Sequence, residues 1–402
     1  MSSQKRNLNT LPIKATLLLA STLTVMSGAT IAPSLPAMQD YFAQVPNAEF
    51  WVRLVLTMPA LLIVIGSPVA GQLVDTLGRK PLLVGSAILY GLAGSSGFIL
   101  KSLFAILVGR ALLGLAVAGV MVSATTLIAD YYSGNQRASF MGLQAAFMGF
   151  GGVLFLSGGG FIADINWRLP FLIYLFSWLL LPTMLLCLFE PRRENKADED
   201  NPEARDAQLP VRLLAFVYGA ALLMQVIFYL IPVQLPFYLK QISEASASES
   251  GIAIALSTLM SAIASMNYGR LKRHFNFIKI LAIAFGLMGL GYVGIGLAST
   301  FWLVLLVLVP TGLGLGLLMP NLNVWVTTEA PDALRGRALG GLTTFFFLGQ
   351  FLSPIVSQPV SAGLGMAATY GLAGVLLAVA AALIWLFQRR ICRAIGSKRG
   401  VS

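Results

Sequence analysis

The chain has 402 residues, of which 57% are hydrophobic and only 11% charged. Ordinary globular chains carry about 25% charged residues, so this one cannot clothe itself in a water-compatible surface, and a soluble fold is excluded. The net charge of +11 comes with no compact basic domain, which argues against a nucleic-acid partner and for positive loops held against anionic lipid.

A helix needs about 20 apolar residues to cross a hydrocarbon core about 30 Å thick. Taken along the chain, such runs lie at 14–36, 52–74, 82–100, 103–128, 138–163, 169–189, 213–239, 251–269, 278–298, 301–325, 338–361 and 368–388. They are continuously apolar instead of alternating over about ten residues, so they read as helices and not as barrel strands. The polar start from Met1 to Leu11 leads into a first run too long for the apolar core of a signal peptide, so no cleavable leader is expected. One His (His274) and two Cys (Cys187 and Cys392) leave little for a metal or haem, and no disulfide framework is expected.

Lys and Arg in the short loops set orientation. With both termini cytoplasmic, Arg53, Lys101, Arg168 and Lys240 fall on the opposite side and Arg110 falls inside a span, leaving 22 of the 27 basic residues cytoplasmic. The only long hydrophilic interior stretch, Glu190 to Asp206, is a mixed-charge segment with nothing to bury. It divides the chain into a six-helix bundle at 1–189, a cytoplasmic linker at 190–212 and a second six-helix bundle at 213–402. The halves resemble each other. Gly114-Leu115 matches Gly314-Leu315, Arg137-Ala138 matches Arg337-Ala338, and the loop at Gly71 has a worn counterpart at Gly269. Duplicated halves around a polar cavity are how secondary transporters expose one site to alternate faces.

The loop after the second run reads Gly71-Gln-Leu73-Val-Asp75-Thr-Leu-Gly78-Arg79-Lys80-Pro-Leu-Leu83. It resembles the signature loop of the major facilitator superfamily, Gly-x-Leu-x-Asp-x-x-Gly-Arg-Lys-x-x-Leu, at every fixed position. The resemblance extends over about residues 12–390. It implies an all-α integral membrane protein with twelve transmembrane helices in two pseudo-symmetric six-helix bundles, a monomer in a bacterial inner membrane, with no cofactor. In the family this loop latches the halves on the cytoplasmic side, which implies gating roles for Gly71, Asp75, Gly78, Arg79 and Lys80. The partner would be the start of the eleventh span near Gly336 to Ala338, and the matched Arg137 and Arg337 complete the gating set. Gly71 and Gly78 permit close helix approach and a sharp turn, and Asp75 is able to face a helix N-terminus.

Arg110-Ala-Leu-Leu-Gly114 in the fourth span is similar to the Arg-x-x-x-Gly element of family members that export drugs and metabolites. A charge inside a span is costly and by default functional, and Arg110 is the only ionisable group placed well inside one. A third family element, Gly-Pro-x-x-Gly-Gly followed by Trp-Arg, is matched at Gly159-Gly160 and Trp167-Arg168, while Phe155-Leu156 replaces Gly-Pro. The glycines around it should pack the fifth span tightly on a neighbour, but the departure weakens an antiporter reading.

No Asp or Glu lies within a run, so proton coupling falls to boundary acids, with Asp40, Asp75 and Asp130 as carriers if water reaches them. The polar residues within runs include Gln144, Gln225, Tyr229, Asn321 and Asn323, which with Arg110 form the expected solute site. Gln225 and Tyr229 are four apart and share a face, and Pro232 and Pro236 should interrupt the seventh span. A cavity with one positive charge and no carboxylate favours an anionic or neutral polar solute. The expected activity is export of a small amphiphilic metabolite, siderophore-like, or of a drug. The competing expectations are a proton-coupled multidrug antiporter and a nutrient importer or facilitator. With one His, no carboxylate pair within a run and no metal-ligand spacing, an enzyme is not expected.

Overall fold

The computed structural model describes residues 10–191 and 208–395. Most of the expected linker, 190–212, lies outside the described residues. The chain forms two compact units, Met1–Glu194 and Asn195–Ser402. Among the described residues the secondary structure is helical, and twelve spans are long and apolar enough to cross a membrane. The first unit holds Leu11–Tyr41, Ala48–Leu77, Arg79–Ile99, Leu103–Tyr131, Gly134–Ile165 and Leu169–Cys187. The second holds Val211–Ser243, Ala247–Lys272, Phe277–Leu297, Phe301–Glu329, Asp332–Leu364 and Met366–Leu386. They are numbered as spans one to twelve below. Helices are the form that satisfies every backbone N–H and C=O within its own segment when the surroundings offer no water.

Proline sets where spans break. Span one is helical over Leu11–Ala29, tightens into a 3-10 turn at Ala32–Ser34 and resumes at Leu35–Tyr41, with Pro33 and Pro36 in the break. Span seven ends one helix at Phe228 and starts another at Leu230. Pro232 has no N–H to return to the Phe228 carbonyl, so the interruption falls one turn before the proline. Pro236, the other expected breaker, stays inside the helix Leu230–Ser243. Span six, which reads as one apolar run, is a chain of short pieces beginning with a 3-10 helix at Leu169–Leu175.

Within each unit, missing side chains let helices touch at backbone distance. A Cβ on Gly114 of span four would stand 2.4 Å from the Pro59 carbonyl oxygen of span two. In the second unit, a Cβ on Gly316 of span ten would stand 2.0 Å from the Ser261 carbonyl oxygen of span eight. The freed contact is used as well: Pro320 cannot donate to the Gly316 carbonyl, which accepts the Ser265 hydroxyl at 2.6 Å instead. The glycines of span five pack against span one at Gly159, where a Cβ would stand 2.3 Å from the Thr30 carbonyl oxygen, and at Gly151 against Thr22, but a Cβ on Gly158 would meet nothing within 4 Å among the described residues. Gly316→Ala should therefore lower the melting temperature of the purified protein by several degrees, while Gly158→Ala leaves it unchanged. Scanning fluorimetry of the two variants checks this contrast.

Candidate functional site

Arg110, in span four, is 1% exposed. Its Nε donates to the Val55 carbonyl at 2.9 Å. One terminal nitrogen donates to the Tyr174 hydroxyl at 2.8 Å and the other to the Ser27 carbonyl. These acceptors are available for a reason. Val55 lies four residues before Pro59, which has no N–H to complete the helical bond, and Ser27 lies in the last turn of Leu11–Ala29, where carbonyls outrun their donors. Tyr174 also donates to the Ser27 carbonyl at 3.1 Å, and the neighbouring Tyr90 to the Leu23 carbonyl at 2.7 Å. The guanidinium thus ties together spans one, two, four and six at two helix defects.

A second cation was missed. Arg53 was expected in an outer loop, yet it is 2% exposed within span two, 3.2 Å from the Glu49 carboxylate and 2.8 Å from the Glu49 carbonyl, with Gln39 at 3.5 Å. The pair was hidden because Arg53 stands at the edge of the apolar run, where its burial depends on what span one places over it.

The loop at 71–80 is organised by a residue that sequence reasoning assigned to the linker. Gly78 adopts φ +101° and turns the chain between spans two and three. At that turn the Glu190 carboxylate accepts the backbone N–H of Arg79 at 2.8 Å and of Lys80 at 2.7 Å. A carboxylate at the N-terminus of Arg79–Ile99 meets two otherwise unpaired donors and the positive end of the helix dipole. Lys80 Nζ donates to the Leu185 and Leu188 carbonyls at 2.7 Å each, and Arg79 pairs with Asp130 at 3.0 Å. Within the first unit the acid at this helix N-terminus is Glu190, while Asp75 is exposed at the end of span two. Gly71, expected at a close helix approach, meets nothing within 4 Å of an added Cβ. Glu190→Ala should destabilise the first unit by about 1 kcal/mol and Glu190→Gln by less, since the amide keeps one acceptor oxygen. Thermal denaturation of both variants reads the order.

The other residues expected to gate lie at the surface: Arg137 is exposed in the first turn of span five and Arg337 in span eleven. Of the acids considered for protons, Asp130 holds Arg79 and Asp40 is exposed at the end of span one. Gln144 is half-buried and donates to the Ser21 hydroxyl of span one at 2.8 Å.

In the second unit the expected solute residues scatter. Asn321 is fully buried, donating to the Phe277 carbonyl at 2.9 Å and accepting from Tyr268 at 3.3 Å. Asn323, two residues on and on another face, is half-buried and bonds back to the Met319 carbonyl. Tyr229 forms the break in span seven, so its phase relative to Gln225 is set by the break as well as by spacing. Gln225 is 1% exposed, and among the described residues neither end of its amide has a partner. Nearby on the packed pair of spans seven and eleven, Ser353 donates to the Val226 carbonyl at 2.7 Å and Gln234 to the Ser357 hydroxyl at 2.6 Å. Among the described residues no three His, Cys, Asp or Glu side chains gather as a metal site requires.

Two bundles of membrane helices with a buried arginine and a carboxylate-capped basic turn define an integral membrane protein, and comparison with known proteins shows its class. The family model of the Major Facilitator Superfamily matches residues 17–243 and again 217–394. The chain belongs to the major facilitator superfamily. It is 23% identical to the quinolone resistance protein NorA of Staphylococcus aureus (strain MRSA252), over 85% of this chain and 90% of that one. It is 25% identical to the bacillibactin exporter of Bacillus subtilis (strain 168), over 84% and 86% respectively. The crystal structure of a D-xylose-proton symporter shares the fold, with a TM-score of 0.80 at 17% identity over 94% of this chain and 97% of the other.

Proposed function

We propose that the protein is a secondary transporter that exports a small amphiphilic solute from the cytoplasm, a drug or a polar or anionic metabolite of siderophore-like character, by alternating access. The observation that carries this reading is the nearly full-length similarity to two proteins named for quinolone resistance and bacillibactin export. The likeness to a xylose symporter is one of fold and adds nothing on direction. In this reading both termini are cytoplasmic, the membrane is a bacterial inner membrane and the working unit is a monomer.

The chemistry of the site supports the solute class. Arg110 supplies a fixed positive charge and no acid lies at mid-span to neutralise it, so an organic cation is disfavoured. Its donors already serve Val55, Tyr174 and Ser27, so it attracts as a field. Direct contacts fall to uncharged groups: Gln144 in the first bundle, and Gln225, Tyr229, Asn321 and Asn323 in the second. Gln225 is the strongest of them, because an unpaired buried amide costs about 1–3 kcal/mol until something bonds it. Gly71, Asp75, Gly78, Arg79, Lys80, Arg137 and Arg337 gate. Asp40, Asp75 and Asp130 are the acids open to a proton. An inside-negative potential favours loss of an anion by about 2.3 kcal/mol per charge per 100 mV.

Inside-out vesicles bearing the protein should accumulate a quinolone or bacillibactin, and right-side-out vesicles should not. Equal flux in both orientations without any gradient marks a facilitator and overturns export. Gln225→Leu should weaken apparent solute affinity by about tenfold while leaving the protein folded, read as a raised half-saturating concentration.

A further inference from the structure

An apolar groove runs between spans nine and twelve, apart from every residue assigned above. Its walls are Ala282, Ile283, Ala381, Ala382, Trp385 and Leu386, around a shallow, open space of about 370 Å³. The two spans pack antiparallel at backbone distance, with Gly289 against the Gly374 carbonyl and Ala378, and Gly286 facing Ala381. The wall residues therefore stand at one level near one end of the pair. Trp385 is 44% exposed and Leu386 72% exposed, so the groove opens outward. Apart from the Trp385 indole N–H, the walls offer no side-chain partner for water, so hydrocarbon fills the trough better than water does.

The rim of the groove specifies the other end of its occupant. Lys279 lies one turn before Ala282 and Ile283 on the same helical face, half-buried. Arg389 and Arg390 follow Trp385 and Leu386 within one turn, across the bend at Phe387, and Arg390 lies 5.6 Å from the Phe387 ring. Both arginines are exposed on the short helix Gln388–Ile395, which buries Cys392 and Ile395 on its other side, the pattern of a helix lying in a membrane interface. No Asp or Glu occurs in residues 277–297 or 366–395. Three basic residues thus lie within about one turn of the groove's walls, with no carboxylate on their own elements to answer them. A tryptophan stands at the same level, where its amphipathic ring suits the boundary of hydrocarbon and headgroup.

We propose that this groove binds an anionic phospholipid, with one acyl chain lying between Ile283 and Trp385 and the phosphate-bearing headgroup held by Lys279, Arg389 and Arg390. A zwitterionic lipid fills the trough equally well but leaves the rim charge unbalanced, so the site selects for headgroups of net negative charge. The site is independent of solute transport and stands on the groove and its rim alone.

Native mass spectrometry of the purified full-length protein tests it, with phosphatidylglycerol and phosphatidylcholine added separately. Wild type should retain one phosphatidylglycerol under conditions that strip phosphatidylcholine. The triple variant Lys279→Gln/Arg389→Gln/Arg390→Gln should lower phosphatidylglycerol affinity about tenfold or more and leave phosphatidylcholine unchanged. Ala382→Phe fills the trough from an exposed position without touching the rim or the helix contact, and should displace the retained lipid at an unchanged melting temperature. Equal retention of the two lipids by wild type overturns the proposal. So does phosphatidylglycerol retention that survives both variants, or a dimer that closes the groove and carries no lipid.

Discussion

Arg110→Ala should abolish transport and destabilise the first unit by about 2–4 kcal/mol. The change removes donors from the Val55 carbonyl, the Ser27 carbonyl and the Tyr174 hydroxyl at once. Ser27 keeps the Tyr174 hydroxyl, but Val55 is left with none, because the residue four places on is Pro59. That dependence gives a sharper test. In a Pro59→Ala background the helix regains an N–H for Val55, so losing Arg110 should cost about 1 kcal/mol less than in wild type. Denaturation of the four proteins in detergent measures the coupling, and equal costs in both backgrounds would show that Arg110 does not serve that carbonyl. Arg110→Lys separates geometry from charge. An ammonium keeps the field but cannot span three acceptors on different spans, so the variant should fold poorly and transport little.

Gly78→Ala should stop transport nearly as completely. A residue with a Cβ at φ +101° carries strain of about 1–3 kcal/mol. The new carbon would also lie 2.7 Å from Glu190 Oε1, pushing the carboxylate off the Arg79 and Lys80 amides. Both effects act on the same turn, so they should not add. Gly78→Ala/Glu190→Ala is expected to be no worse in melting temperature than Gly78→Ala alone, and Glu190→Ala alone clearly milder. Additive losses would mean that the turn and the carboxylate act separately.

What sequence reveals of this protein, and what it hides, follows from the range of the interactions. A membrane span must be apolar throughout its own length, so the twelve spans and the duplicated junctions are legible locally. The break in span seven is legible too, since Pro232 acts on its own helix, although the chain accommodates Pro236 that looks equally disruptive. Span six gives no local sign of its 3-10 start beyond Pro170. The links that build the sites are long-range. Glu190 reads as one charge in a solvated linker, yet it caps a helix that begins 111 residues earlier. Tyr174 reads as one aromatic in an apolar run, and nothing in its neighbours announces that it meets Arg110 and Ser27. Arg110 stands out because a buried charge is conspicuous in any context, but what it bonds is decided by Pro59 on another helix. Arg53 lacked even that prominence, standing at the margin of its run.

The central claim, that the protein works by alternating access, is tested most directly by spin-label distances. Arg137→Cys and Arg337→Cys place one label on each bundle at exposed, sequence-matched positions, after Cys187 and Cys392 are replaced by Ser. In reconstituted bilayers the account predicts two distance populations between these labels, with their ratio shifting when a quinolone or bacillibactin is added. A control pair within the first bundle, Lys101→Cys and Arg137→Cys, should hold one distance throughout. A single unchanged distance between the bundles under every condition, with solute transport intact, would contradict the account.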